Sequence, residues 1–210
     1  MNHSSETNWG RPRLKTLQRD FRAAVRANSE RAAGAACTTM QLSHLLLPTF
    51  PEKHVRLLCS LIGSRDFAKS PDAAGAILVY LMTESRKLST HQKRRLVREF
   101  ERIFPKVTTR AWQICFSISE LVGGDFRDEA ALDMFLRLVD LPRPHARVSV
   151  AHGLEHIVCD SHNPSLASTA LQALENMASD PAESVRMQVE ESLSIIERDR
   201  NPSNAESLQH

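Results

Sequence analysis

Apolar residues recur three and four positions apart along almost the whole chain, and almost nowhere in strict alternation. That period gathers them on one stripe of an α-helix, whereas a half-buried strand needs a period of two. Leu14, Leu17, Phe21 and Val25 form one stripe, and Val55, Leu58, Cys59 and Ile62 form another. Leu96, Phe100, Ile103 and Phe104 continue it, as do Val150, Leu154, Ile157 and Val158, then Val185, Val189, Leu193 and Ile196. Ser70-Pro71, Asn163-Pro164 and Asp180-Pro181 each set a capping side chain before a proline at the first helical position. There the missing N–H costs nothing. Asp180 with Glu183 resembles a capping box, and Gly123-Gly124 reads as a helix end. The spacing predicts helices over 13–33, 38–47, 51–63, 71–83, 89–104, 106–122, 127–139, 143–159, 164–179 and 181–198. Short links make consecutive helices antiparallel neighbours. Residues 1–10 and 200–210 read as flexible tails, leaving 11–199 as one domain.

Composition points the same way. Glycine is 7 of 210 residues while Leu and Ala together number 46, a bias against turn-rich barrels and sandwiches. The longest apolar run, Ala73–Met82, is far short of the ~20 residues that cross a bilayer. The first ten residues carry no apolar signal-peptide segment. Cys37, Cys59, Cys115 and Cys159 are widely spaced with no CxxC, which excludes a zinc ribbon and a thioredoxin-like site. Free thiols within helices suit a reducing compartment. The expectation is an all-α cytoplasmic protein with no membrane partner.

The chain also repeats itself. A shift of 39 residues lays Pro142 over Pro181, Arg147 over Arg186, Val150 over Val189, Leu154 over Leu193 and Ile157 over Ile196. A shift of 36 lays Ile114 over Val150, Ile118 over Leu154 and Leu121 over Ile157. Two helices recurring at such a period are the signature of a helical solenoid. The string Asp180-Pro181-Ala182-Glu183-Ser184-Val185-Arg186, followed by Val189 and Leu193, resembles a HEAT repeat. In that family a proline opens the first helix, a Val-Arg pair follows, and apolar residues continue at helical spacing. Pro142, Ala146-Arg147, Val150 and Leu154 repeat the motif, and Pro105 does so more weakly. The resemblance covers about 105–199 and is poor before it, so 11–104 reads as degenerate repeats. It implies a right-handed α-α superhelix of about five antiparallel helix pairs, which binds a macromolecule on a curved surface. An irregular helical bundle is the competing reading.

Three constellations could carry function. His152-Gly153-Leu154-Glu155-His156 matches H-x-x-E-H, the spacing that sets two zinc ligands and a general base on one helix in inverted zinc peptidases. His152 and His156 with His145 or Cys159 are therefore candidate metal ligands, and a metal-binding protein or hydrolase through His152, Glu155 and His156 is a third functional reading, against a plain polar helix face that happens to carry histidines. Trp112 and Phe116, four residues apart, read as core aromatics, with an exposed partner anchor as the alternative. Trp9 lies in the polar tail, where it either staples the tail to the first helix or contacts a partner. Signatures for nucleotides, serine hydrolases and calcium loops are absent, so no cofactor and no catalysis are expected.

The third constellation is charge. Residues 1–110 hold 20 Lys+Arg against 9 Asp+Glu, and residues 111–210 hold 7 against 16. Lys15, Arg19, Arg22 and Arg26 form one cationic ridge, and Arg94, Arg98 and Arg102 form another, with Lys93 and Arg95 beside it. Asp128, Glu129, Asp133, Glu190 and Glu191 are the candidate acidic face. Such polarity points to charged partners. A protein partner is the first expectation, nucleic acid on the basic half the second, and head-to-tail self-association through opposite ends a further one.

Overall fold

The computed structural model describes residues 14–200. Those residues are helical without a strand, in the order α1 (Leu14–Arg26), α2 (Glu30–Leu42), α3 (Glu52–Ile62), α4 (Pro71–Glu84), α5 (Thr90–Ile103), α6 (Gln113–Glu120), α7 (Glu129–Leu138), α8 (Pro144–Asp160), α9 (Pro164–Asn176) and α10 (Glu183–Arg200). No helix among them is long and apolar enough to cross a membrane. Trp9 and the two expected tails lie outside the described residues, Arg200 excepted.

From α3 onward the helices follow the expected spans closely except α6, expected over 106–122 but Gln113–Glu120 after 3-10 turns at Phe104–Lys106 and Thr109–Ala111, and the first two differ as well. The helix expected over 13–33 stops at Arg26, and the one expected over 38–47 occupies Glu30–Leu42. Asn28 takes a left-handed φ of 47°, and the Ser29 N–H reaches back to the Ala24 carbonyl at 3.0 Å. Ser29 then caps α2 by accepting from the Ala32 N–H. Asn28-Ser29 is thus a helix stop joined directly to a helix start. Asn28 has a second task. Its Oδ1 accepts from the backbone N–H of Asp72 at 3.0 Å and of Ala73 at 3.3 Å, so it caps α4 from 44 residues away. Ser70, the expected cap of α4, instead donates to the Val25 carbonyl at 2.6 Å. Gly123-Gly124 does not end α6 either. The chain continues through a π-helical turn, Leu121–Phe126, and stops at Arg127 with φ 30°.

The packing order alternates. Helices α2, α4, α6, α8 and α10 pack each against the next, and α1, α3, α5, α7 and α9 do the same in a second layer. Side-chain hydrogen bonds that tie one helix pair to its successor join residues 32 to 45 positions apart. One tie repeats in form. Arg147 donates to the carbonyl of Leu141, six residues back, and Arg186 donates to that of Asp180, also six back. These are the two arginines that the 39-residue shift superposes.

Between the layers lies a continuous apolar core that includes Phe21, Phe67, Phe100, Phe104 and Phe135. It also holds a polar cluster. His44 and His54 are both buried, their rings 5.2 Å apart, and neither Nδ1 has a hydrogen-bond partner. His44 Nε2 lies 3.3 Å from the buried Glu84 carboxylate and 3.5 Å from the Tyr80 hydroxyl. Burial first, then the neighbouring His44 and Lys53, push the His54 imidazole from its ordinary value of 6.5 down to about 4. The neutral ring is the one that fits. Stability from this group is therefore fully present above pH 6.5 and is lost as pH falls through 4, by about 3 kcal/mol in all. Urea unfolding of the wild type and His54→Leu at pH 7 and at pH 4.5 checks this. The variant should lose less on acidification, and parallel losses would refute the assignment.

Candidate interaction site

The even-numbered helices carry the more exposed apolar side chains, and Leu14 on α1 and Leu136 on α7 are less open. Most large apolar side chains are covered, yet Leu42 on α2, Val79 on α4, Trp112 at the start of α6 and Met187 on α10 stand exposed. Between α2 and α4 an open groove of about 780 Å³ is lined by Arg31, Gly34, Gly75 and Val79. Gly34 and Gly75 have no Cβ to fill it.

Trp112 begins a ladder of rings that crosses from α6 to α8. Trp112 follows a 3-10 turn at Thr109–Ala111 and is 41% exposed. Its ring meets Phe116 edge-on, with centroids 5.9 Å apart. Phe116 stacks face to face on His152 of α8 at 4.0 Å, and His152 meets His156 edge-on at 4.7 Å. The expected core position for both aromatics is thus corrected: Trp112 is exposed and Phe116 half-buried. A helix apolar all round gives no sign of which side its neighbours leave open.

The same geometry assigns the histidines. His156 Nδ1 faces the Asp160 carboxylate at 3.2 Å, and His152 Nδ1 lies 3.9 Å from Glu155. Glu155 is buried and accepts from the Ser192 hydroxyl of α10 at 2.6 Å. Burial alone would raise its carboxyl, but the nearby His152 imidazole and the Ser192 hydrogen bond hold it below the ordinary range. His145 sits at the other end of α8, near the Thr109 hydroxyl and the Val107 carbonyl. Seven residues of helix rise about 10 Å, too far for His145 and His152 to share one ion. Burial and the Asp199 carboxylate push the Cys159 thiol up to about 12, away from the thiolate a metal needs. No three His, Cys, Asp or Glu side chains among the described residues are grouped to hold a metal ion. The His152 ring is instead taken up in packing against Phe116.

The charged residues separate into free and engaged. Lys15, Arg19, Arg22 and Arg26 are exposed on α1, and Arg94, Arg98 and Arg102 on α5, with α3 packed between the two helices. Arg19 pairs with Asp20, Arg26 with Asp66, Arg94 with Asp128 and Arg102 with Glu99. Arg95 is bound to Glu52. Lys93 is half-buried, donating to the Asp125 carbonyl at 3.1 Å with its ammonium 5.2 Å from the Phe126 ring centre. Lys93 and Arg95 therefore hold neighbouring helices together. Lys15, Arg22 and Arg98 have no carboxylate partner among the described residues.

The acidic candidates do not share a face. Asp128 caps α7, its carboxylate accepting from the Ala131 N–H. Glu129 and Asp133 lie on α7 in the odd-numbered layer, whereas Glu190 and Glu191 lie on α10 in the even-numbered one. Sequence reasoning missed Leu42, Val79 and Met187, whose exposure depends on where the next helix stops covering them. Comparison with protein-family models, with curated proteins and with solved structures finds no match to this chain.

Proposed function

We propose that the chain is a short HEAT-like α-α superhelix that works as a non-catalytic protein-interaction module, receiving its partner on the exposed side of α2, α4, α6, α8 and α10. The alternating packing order and the 32- to 45-residue spacing of the cross-ties support the superhelical reading. The observation that carries the function is the exposure of Leu42, Val79, Trp112 and Met187 on the even-numbered series, greater than that of Leu14 and Leu136 on the other. Exposed apolar residues concentrated on one series of helices mark an interaction surface, and rigid aromatics supply most of the binding energy at such surfaces.

Trp112→Ala is expected to weaken partner binding by about 2 kcal/mol, roughly thirtyfold, while the helical circular dichroism spectrum is retained. Val79→Asp should act in the same direction. Arg22→Glu with Arg98→Glu, in the other layer, should leave that partner bound. Affinity capture with each form, followed by titration of the captured protein, reads all three. A partner lost on charge reversal and kept by the Trp112 and Val79 variants would move the site to the basic layer.

A further inference from the structure

The connection between α2 and α3 inverts the usual partition of side chains. Leu45, Leu46 and Leu47 are exposed, Leu46 at 93%, while His44 beside them is 1% exposed. This is not a slack loop. Its polar anchor, His44, lies against Glu84, and Phe50 is buried at its far end. The Phe50 N–H donates to the Lys87 carbonyl at 3.0 Å, and Gln92 donates to the Phe50 carbonyl at 3.0 Å. The fold buries a histidine and displays three leucines, a costly exchange in water unless the leucines meet something.

The shape narrows what they meet. A side chain as open as Leu46 forms no wall of a groove, and a helix or strand of a partner needs a groove or a flat face to lie on. A protrusion buries itself best in a medium that closes around it. Charge narrows it further. The antiparallel run of α1 to α5 brings the first turn of α1, the first turn of α3 and the α4–α5 connection to the edge that carries the leucines. Those segments contribute Lys15, Lys53 and Arg86, all exposed and without a carboxylate partner among the described residues. Of the acidic groups there, Lys87 lies 3.0 Å from Glu84, Arg56 and Arg95 engage Glu52 and Arg94 faces Asp128, while Asp125 accepts from the Ser85 hydroxyl at 2.9 Å.

We propose that this edge docks on an anionic phospholipid surface, with Leu45, Leu46 and Leu47 entering the interface and Lys15, Lys53 and Arg86 meeting lipid phosphates. Apolar insertion and cationic attraction act together in such contacts, and neither needs a spanning helix. Leu42 adjoins this edge at the end of α2, so the two proposals are told apart by variant: Trp112 and Val79 report the partner surface and Leu45 with Leu46 this one.

Co-sedimentation of the full chain with phosphatidylcholine vesicles, and with vesicles containing phosphatidylglycerol, tests it. The protein should pellet with the second and stay in solution with the first. Leu45→Ser with Leu46→Ser should weaken pelleting at least tenfold, and Lys53→Glu with Arg86→Glu should do the same. Both pairs lie at exposed positions, and unchanged circular dichroism melts verify that they fold. Failure of the wild type to pellet with the anionic vesicles overturns the proposal. So does pelleting that the leucine variant leaves intact, which would mean adsorption by charge alone. A dimer that the leucine variant converts to monomer, without vesicle binding, would assign the edge to a second copy instead.

Discussion

Asp180→Ala is expected to cost about 3–5 kcal/mol, a large part of the roughly 5–15 kcal/mol that holds a domain folded. The Asp180 carboxylate receives two hydrogen bonds from the Arg147 guanidinium, at 2.6 and 2.8 Å, and both side chains are about nine-tenths covered. Removing the acid leaves a buried cation with one remaining bond, to the Leu141 carbonyl. It also removes the acceptor of the Ala182 N–H just before α10. The two losses can be separated. Asp180→Asn keeps an acceptor for Ala182 but discards the charge, so it should retain the capping share of about 1 kcal/mol and lose the rest. Adding Arg147→Met to that variant removes the stranded cation and should restore much of the loss. Chemical unfolding of the four proteins gives the comparison. If the double variant is no better than Asp180→Asn, burial of charge is not the cause. The Arg147 guanidinium holds the Asp180 carboxyl below its ordinary 3.8, so the pair's contribution is fully present above that pH. It is lost as the solution is acidified through the lower, folded-state value.

Gly153→Val is expected to be nearly as damaging. A Cβ at Gly153 would meet the Phe135 ring at Cε1 and Cε2, 2.6 and 2.8 Å away, and closer still at Cζ. Phe135 is wholly buried, so the ring has no free space to move into. The opposite neighbour is close too, because a Cβ on Gly123 would press on the Gly153 carbonyl and on His156. These glycines let the π-helical turn after α6 and helix α7 approach α8 almost backbone to ring. Gly153→Ala should cost about 1–3 kcal/mol, and Gly153→Val more, with the melting temperature falling in that order. Phe135→Leu in the Gly153→Ala background makes room and should recover part of the loss. A Gly153→Val protein that melts with the wild type would refute the close-packing account.

Much of the fold was legible because it depends on local rules. Helical spacing located the helices from α3 onward, α6 excepted at its start, since one stripe must face the core whatever its neighbours are. The stop at Asn28-Ser29 was hidden in an alanine-rich run that favours helix on both sides. The site was legible in smaller part. Lys93, Arg95 and Asp128 look like surface charges along the sequence, yet each is taken up by the Asp125 carbonyl, by Glu52 or by an N-cap. Those partners are near in space for reasons the local sequence does not express. Trp112 and Phe116 were recognisable as a pair, but their exposure depends on how far α8 covers α6. The Leu45–Leu47 run was read as part of a helix because three adjacent leucines fit any apolar pattern.

The cross-ties described above reach back no further than 45 residues. A chain built in that way needs little memory during synthesis. Each new helix pair finds the surface it must cover already standing, because that surface was made a few tens of residues earlier. Low contact order of this kind favours fast folding and leaves few long-lived, half-paired intermediates open to aggregation. It also fixes how order is lost. Opening one terminal pair strands only its immediate neighbour, so the molecule would give way link by link from an end, while the centre stays shut until last.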